Sequence, residues 1–354
     1  MSGVSEQVGI GREALLEYAA VREGGAGLLD LGARGRVLVS GSEAVQFLNG
    51  LITNDVKALG AGAWMQAAFP NAQGRLLAHV RVLHVTEGFL FDTEAATREV
   101  VLKTLSRFTL AGDFRVTELT DEMTALSLQG AGALELIRRV LGEEAARVEQ
   151  GRVAEVDWNG RALKVIRATH TGEDGFDIFV SGAEGEAVRD ALTEAGAVVV
   201  GAEALETLRI EAGLPLYGVD VDESNVVLEA AQDEAVSYTK GCYIGQEIIA
   251  RIHWRGHVAK RLAGVVLDEG GSTRREDRVC SADGKEIGRI TSAAFSPRLK
   301  RFIGLGLIRY DYLRHGTEAL VVSDETEQKA HISDLPLVRG SWQAQSESAP
   351  EKAV

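Results

Sequence analysis

One short segment, residues 240–247, contains the side chains with the clearest chemical potential. It reads Lys-Gly-Cys-Tyr-Ile-Gly-Gln-Glu. A nearby cation lowers the pKa of a thiol, so Lys240 could hold Cys242 as a thiolate that attacks, is oxidised or briefly holds a sulfur or iron ligand. The alternative is a cysteine packed in a small apolar space, since free cysteine is among the most buried residue types. On the first interpretation, Cys242 and Lys240 are the candidate catalytic residues.

A basic segment follows in a chain that is otherwise acidic. Arg251, Trp254 and Arg255 lie on or near a short helix that the pattern predicts after Gly245. Arginine can bind a carboxylate through two parallel hydrogen bonds, and tryptophan can stack on a flat ring. The segment therefore indicates a ligand with an anionic tail and an aromatic ring. A solvated helix face that shields its neighbour is the alternative.

Composition narrows the class of protein. The chain has 354 residues and a formal net charge of −14, which argues against broad electrostatic binding of nucleic acid. No apolar run approaches the ~20 residues of a membrane span, and the first residues do not resemble a secretory signal. Two cysteines are too few for a disulfide framework and favour a cytoplasmic location. No metal-ligand motif is present, so we predict no bound metal.

The order of predicted elements favours an α+β fold. Strands and helices do not alternate regularly before residue 213, as they would in a doubly wound parallel sheet. From residue 261 to about 338 the pattern changes to short strands separated by Gly, Asp and Ser turns, which is typical of a small β-barrel. The predicted regions are an N-terminal arm (1–20), a core (21–130 and 200–258), an inserted α+β domain (131–199), the barrel (259–339) and a disordered tail (340–354).

Several blocks resemble the glycine-cleavage T-protein superfamily. The block at 240–247, with Ala250, Arg251 and the Arg-Gly pair at 255–256, looks like the signature of its YgfZ branch. Nearly the whole chain takes part in the resemblance. The other matching blocks are residues 39–48, 51–56, 172–177 and 208–215.

The resemblance implies three domains around a central folate site. It also implies a protein that binds tetrahydrofolate or a one-carbon derivative and supports iron–sulfur cluster assembly or repair and, indirectly, tRNA modification. Its partners would be folate and, transiently, iron–sulfur enzymes or assembly proteins, with neither a membrane nor a nucleic acid bound directly. The folate-binding residues that we predict are Asn54, Asp55, Glu173, Asp177, Tyr243, Gln246, Glu247, Arg251, Trp254 and Arg255.

One departure from the family separates two functions. The aminomethyltransferase has acidic residues where this chain has Ala78 and His79. Aminomethyl transfer needs a proton at the folate nitrogen and an electrostatic partner for the developing iminium, and alanine provides neither. We therefore expect a chain that is not a classical aminomethyltransferase. Two alternatives stay open at this point: an aminomethyltransferase whose acid is supplied by another residue, and a non-catalytic scaffold regulated by folate.

Overall fold

Two open β-sheets and one closed β-barrel organise the chain. The computed structural model describes residues 9–107, 109–110, 112–324 and 326–346. The α-helices are α1 (Arg12–Arg22), α2 (Ala44–Leu51), α3 (Arg98–Ser106), α4 (Ala133–Leu141), α5 (Glu143–Ala146), α6 (Gly185–Glu194), α7 (Ala202–Glu211), α8 (Gln246–Arg255) and α9 (Ser341–Ser346).

The strands before α7 build the two open sheets. They are β1 (Gly27–Asp30), β2 (Gly35–Ser40), β3 (Trp64–Pro70), β4 (Leu76–Val85), β5 (Gly88–Thr93), β6 (Arg115–Glu118), β7 (Met123–Gln129), β8 (Val153–Trp158), β9 (Arg161–Arg167), β10 (Gly175–Ser181) and β11 (Val198–Val199). The barrel strands are β12 (Lys260–Leu267), β13 (Arg278–Ser281), β14 (Glu286–Ser296), β15 (Arg301–Arg309), β16 (Glu318–Ser323) and β17 (Thr326–Ser333).

The first sheet has the order β3-β4-β5-β2-β6 and presents different chemistry on its two faces. One face carries Ala78, Val80 and Val82, which pack in an apolar core with residues of α2 and α3. Because side chains alternate along a strand, His79 and Arg81 point to the opposite face. That face turns towards the second sheet.

The second sheet has the order β11-β1-β7-β10-β9-β8. Ile137 of α4 and Val188 of α6 pack on its outer face, in one core with Phe176 and Ile178 of β10. Its inner face shares a core with the first sheet, in which Leu83 is buried. β1 and β7 thus belong to the sheet formed by the segment that we predicted as an inserted domain.

Helix α7 joins the two sheets to the barrel. Its Ile210 packs in one cluster with barrel residues Leu262 and Ile303. Glu211, at its end, is fully buried and accepts hydrogen bonds from Tyr18 (2.9 Å) and Ser296. Charged and hydroxyl groups from α1, α7 and β14 therefore meet at one buried junction.

The predicted α+β fold with a C-terminal barrel is confirmed, since six strands close into a barrel in the order β12-β15-β14-β13-β16-β17. The tail prediction is wrong over its first part. Residues 341–346 form α9, in which Ser341 donates hydrogen bonds to Glu173. Residues 1–8 of the predicted arm and 347–354 of the predicted tail lie outside the described residues. In the described part of the chain, no helix is long and apolar enough to cross a membrane.

Candidate functional site

A cavity of about 720 Å³ lies between the two sheets, α7 and the end of the barrel domain. Pockets of this size are typical of sites that bind small organic molecules. Its apolar lining includes Leu29 of β1, Leu31 just after that strand, Leu205 of α7 and Leu335 after the barrel. Its polar lining includes Trp64, Gln66, His79, Arg81, Glu94, His170, Arg209, Gln232, Asp233 and Glu234.

His79 is the cavity residue that stands at the position of the missing acid. Its ring nitrogens make no hydrogen bond to any described residue, and Nε2 is buried. Burial lowers the pKa of His79 to about 4, so the imidazole is neutral at physiological pH. Ala78 packs in the apolar core on the other face of β4. Of the two positions, only that of His79 can therefore present a side chain to the cavity.

Two further cavity residues carry buried polar atoms without a partner among the described residues. These atoms are Trp64 Nε1, a donor, and Gln232 Oε1, an acceptor. Leaving a buried polar group without a hydrogen bond costs about 1–3 kcal/mol. Together with His79, these groups form a set of donors and acceptors that a polar, flat molecule in the cavity would satisfy.

Arg81 closes one side of the cavity and covers Asp177. Arg81 pairs with Asp92 (2.8 Å) and with Asp177, and His170 Nε2 lies 2.9 Å from Asp177 Oδ2. Burial alone would raise the pKa of Asp177, but His170 and Arg81 outweigh it and hold that pKa far below the ordinary value. Asp177 has no exposed surface. Direct contact of Asp177 with a ligand would thus require Arg81 or His170 to move.

Glu173, the other predicted acidic contact, lies in a structural junction. Its Oε1 accepts a hydrogen bond from Arg22 (2.7 Å), and its Oε2 accepts two from Ser341. Burial opposes ionisation of Glu173, but the bonds from Ser341 and Arg22 lower its pKa. Glu173 therefore fixes α9 against α1 and does not line the cavity.

Lys240, predicted as a catalytic residue, makes contacts that are structural, and a catalytic role for it stays a prediction. Its Nζ donates hydrogen bonds to the carbonyl oxygens of Ile52 (2.9 Å) and Asn54 (2.6 Å) and lies 5.1 Å from the centre of the Tyr243 ring. Burial lowers the pKa of Lys240 to about 8, and Asp55 only partly offsets this effect. Lys240 thus fixes the chain after α2 to the 240–245 loop. Cys242 is exposed on that loop.

The loop then enters α8 through a close backbone approach. Gly245 has φ of 79°, and a Cβ there would lie 2.4 Å from the carbonyl oxygen of Asn71. Only glycine combines that conformation with that contact. Gly245 therefore has a packing role, because it lets the N-terminus of α8 lie against the turn between β3 and β4.

Of the α8 residues that we predicted as folate contacts, Gln246 is half-buried and the others are exposed. Trp254 is 69% exposed and lies edge-on to His253. Gln246, Glu247, Arg251 and Arg255 make no side-chain hydrogen bond or ion pair with a described residue. Neither these residues nor Asp55, Tyr243 and Cys242 line the cavity. Contact of these residues with folate stays a prediction.

Asn54 is a predicted residue that bonds to two residues of the cavity wall. Its Nδ2 donates hydrogen bonds to the carbonyl oxygens of Gln66 (2.8 Å) and Glu234 (3.0 Å). Asn54 thereby joins β3 to the turn at residues 232–236. It supports two cavity residues without lining the cavity itself.

Sequence reasoning missed most of the cavity. Trp64, Gln66 and Arg81 come from two adjacent strands, whereas Glu234 comes from a connection more than 150 residues later. One signal was available: Gln66 and Arg81 are polar residues within strands that are otherwise apolar, on the side opposite to the core pattern. The contribution of Glu234 depends on the tertiary fold and has no local signal.

An antiparallel sheet and a mixed sheet enclose a polar-lined cavity beside a small closed barrel, an arrangement of three units that can be compared with known families. The chain matches the family model of the GCVT N-terminal domain over residues 11–240. It matches that of the glycine cleavage T-protein C-terminal barrel domain over residues 260–339. The chain belongs to the glycine-cleavage T-protein family.

Relatives and a solved structure agree with this membership. The chain is 35% identical to an aminomethyltransferase of Rubrobacter xylanophilus over 324 residues, covering 91% of this chain and 86% of the relative. It is 33% identical to one of Parafrankia sp. over 338 residues, covering 93% and 88%. The fold matches the glycine cleavage system aminomethyltransferase T of Bartonella henselae with a TM-score of 0.84, 23% identity and coverage of 92% and 90%.

These relatives correct the function that we predicted. Iron–sulfur cluster assembly or repair was the first expectation, and aminomethyltransferase was an alternative. The relatives, which match this chain along most of its length, are named aminomethyltransferases, so the first expectation is wrong. Iron–sulfur clients and tRNA modification have no support and are withdrawn with it.

Proposed function

We propose that this protein is an aminomethyltransferase that moves a one-carbon unit between a carrier and tetrahydrofolate bound in the central cavity. The observation that carries the proposal is family membership along nearly the whole chain, including both the cavity-forming sheets and the barrel. Relatives at about one-third identity are named for this activity. The replaced acid at His79 does not exclude it, because other cavity residues carry carboxyl groups.

The cavity suits a pterin ring in size and in polarity. A reduced pterin is flat, with ring N–H groups, an amino group and ring acceptors. Trp64 Nε1, His79 Nε2 and Gln232 Oε1 supply unsatisfied donors and acceptors for such a ring, while Leu205 and Leu335 supply apolar walls. Neutral His79 does not oppose a developing iminium, as an imidazolium would.

Buried ion pairs hold one wall of the cavity in place. Arg81 pairs with Asp92 and Asp177 in the interior, which fixes its guanidinium at the cavity wall. A group held in this way does not reorganise when charge develops on the substrate. We assign Arg81 the role of shaping the ring end of the cavity.

The decisive experiment is a turnover assay. Purified protein is mixed with 5,10-methylenetetrahydrofolate, ammonia and a dihydrolipoylated carrier protein, and the release of tetrahydrofolate is followed. We expect turnover that requires both ammonia and carrier. Saturable quenching of tryptophan fluorescence without turnover would contradict the enzyme and leave a folate-binding protein, which is the scaffold alternative.

Two finer predictions accompany this proposal. Residues 240–247, with Ala250, Arg251 and the Arg-Gly pair at 255–256, resemble the YgfZ branch, and we retain that subtype as a prediction. The cytoplasmic location rests on the sparse use of cysteine, and Cys242 and Cys280 are both unpaired.

A further inference from the structure

The face of β4 that carries His79 has no acidic residue of its own. The fold brings the carboxyl group of Glu234, from a distant part of the chain, to that face. Gln66 pairs with Arg81, and Ala68 with His79, in the register of β3 and β4. All four side chains share one face of the sheet, and Gln66 is a diagonal neighbour of His79 at about 7–8 Å between Cα atoms. Gln66 Nε2 donates a hydrogen bond of 2.5 Å to Glu234 Oε1. The carboxyl of Glu234 therefore lies over the same face as His79.

Hydrogen bonds also hold the backbone of Glu234 in place. Asn54 Nδ2 donates to its carbonyl oxygen and to that of Gln66. The next residue, Ala235, accepts a hydrogen bond from the Thr53 hydroxyl through its carbonyl oxygen. Hydrogen bonds thus fix the turn that carries Glu234 to β3 and to the segment that follows α2.

Most other carboxyl groups on the cavity wall are neutralised. Asp30 pairs with Arg189, Glu206 with Arg209, and Asp233 with Arg261. Glu94 accepts a hydrogen bond from the backbone N–H of Tyr217 (2.9 Å), so its charged form has a fixed donor.

Glu234 differs from these groups. Within the described residues its carboxyl contacts the neutral amide of Gln66 and no cation. A carboxyl without a cationic partner can exchange a proton at lower free-energy cost than one in an ion pair.

We propose that Glu234 is the carboxyl that exchanges a proton with the substrate nitrogen in this cavity, with Gln66 and Asn54 as its positioning residues. The inference rests on the proposed function and deepens it, because it identifies which group replaces the acid missing at Ala78 and His79.

The proposed step balances as follows. In 5,10-methylenetetrahydrofolate one methylene carbon bridges two nitrogens. One carbon–nitrogen bond breaks, its electron pair stays on the departing nitrogen, and that nitrogen takes the proton of Glu234. The other nitrogen forms an iminium with the methylene carbon, and the Glu234 carboxylate left behind stabilises that positive charge. In the reverse direction the nitrogen attacks the iminium carbon, and the carboxylate takes the proton back.

The environment of Glu234 suits this role. The Glu234 side chain is accessible, but the surrounding protein partly desolvates it. This desolvation raises the pKa of Glu234, and the negative charge of Asp233 raises it further. A raised pKa increases the fraction that is protonated near neutral pH. Glu94 also has a raised pKa, because of burial, and this makes it the matched comparison.

The test compares three Glu→Gln variants. Glu234→Gln removes the proposed proton donor, Glu94→Gln removes the other cavity carboxyl whose pKa is raised, and Glu186→Gln changes an exposed carboxyl of α6. Thermal melting and circular dichroism confirm that each variant is folded. Cleavage of methylenetetrahydrofolate is measured as a single turnover between pH 5 and 9.

For the wild type we expect a rate that falls as pH rises through the pKa of Glu234. Glu234→Gln should lower the rate by about 10²-fold or more and remove that dependence. Glu186→Gln should leave the rate and its pH profile unchanged. Gln66→Leu should shift the midpoint of the profile, which a purely structural role of Gln66 would not do.

A second readout separates this inference from the proposed function. Tetrahydrofolate binding is measured by calorimetry in two buffers with different ionisation enthalpies, which gives the protons taken up or released. We expect a net proton exchange that Glu234→Gln abolishes while the Kd changes by less than about 10-fold. If the wild type binds with this proton exchange but does not turn over, Glu234 still faces the ligand and only the transferase function fails.

Three results would overturn the inference. A Glu234→Gln variant with wild-type rate and pH profile would show that another group moves the proton. A larger loss in Glu94→Gln than in Glu234→Gln would assign the role to Glu94. Tetrahydrofolate binding without any proton exchange would place Glu234 away from the ligand.

Discussion

The central cavity and the 240–255 segment differ in how sequence relates to structure. The segment places a thiol, a lysine and two arginines within 16 consecutive residues, yet Lys240 is bonded to carbonyl oxygens and α8 presents Trp254 to solvent. The cavity takes His79 and Glu234 from distant parts of the chain and assembles them on one sheet face. In the segment, Lys240 and Gly245 contact the backbone of neighbouring turns, whereas the dispersed residues line the cavity that we take as the candidate site.

The largest expected effect is a loss of stability when Arg81, in the cavity wall, loses a buried carboxylate partner. Asp177→Asn would leave Arg81 without one of its two buried carboxylate partners. Removing one member of a buried ion pair costs about 3–5 kcal/mol, so we expect the free energy of unfolding to fall by about 3 kcal/mol. Urea denaturation measures this loss. The control, Asp30→Asn, removes an accessible pair with Arg189 and should cost less than about 1 kcal/mol.

The same substitution predicts a pH dependence. The folded pKa of Asp177 lies far below the ordinary carboxyl value of about 3.9. Its stabilisation is therefore present above that value and is lost as pH falls towards the lower folded pKa. The difference in unfolding free energy between wild type and Asp177→Asn should shrink below about pH 4. A constant difference down to pH 2 would contradict the charge-based explanation.

The next effect tests the structural role of the 240–245 loop. Lys240→Met removes the cation that satisfies the carbonyl oxygens of Ile52 and Asn54. We expect the free energy of unfolding to fall by about 1–3 kcal/mol, the cost of leaving buried acceptors without donors. Lys57→Met, at an exposed position, serves as the control. If Lys240→Met instead changed only the alkylation rate of Cys242, the original thiolate interpretation would be correct.

The fold was more predictable than the site because its determinants are local. The change after residue 261 to short strands separated by Gly, Asp and Ser turns predicted the barrel, because turn residues act locally. Helix α9 was missed because it is held by Glu173 across the fold and not by its own sequence pattern.

The site was harder to predict, because the role of each residue depends on neighbours that the tertiary fold brings to it. Asn54 was predicted as a folate contact, and the structure places it behind the cavity wall, where it bonds to the carbonyl oxygens of Gln66 and Glu234; its contact with folate stays a prediction. Asp177 was chosen for its carboxylate, but β4 supplies Arg81 to neutralise it, which no local pattern around Asp177 shows. His79 was noticed only as a departure from the family, and its neutral state follows from burial.

Tryptophan fluorescence distinguishes the two regions directly. Trp64 and Trp342 line the cavity, whereas Trp254 lies on α8 and is mostly exposed. A folate in the cavity should quench Trp64 and Trp342, so Trp254→Phe should retain the saturable part of the signal. The Trp64→Phe, Trp342→Phe double variant should lose most of it. The opposite result would move the ligand to the 240–255 segment.

The smallest expected effect is that of Cys242→Ala. Because Cys242 is exposed and does not line the cavity, we expect the free energy of unfolding to change by no more than about 0.5 kcal/mol. The turnover rate should also be unchanged. Loss of turnover by 10-fold or more with normal folate binding would restore Cys242 as a reacting group.

A crystal structure of the complex with a stable reduced folate is the most direct test of the central claim. We expect the pterin ring in the cavity, hydrogen-bonded to His79 or Trp64, with one of its nitrogens close enough to the Glu234 carboxyl to exchange a proton. Ring density on α8 or the 240–245 loop, with the cavity filled only by water, would contradict the account.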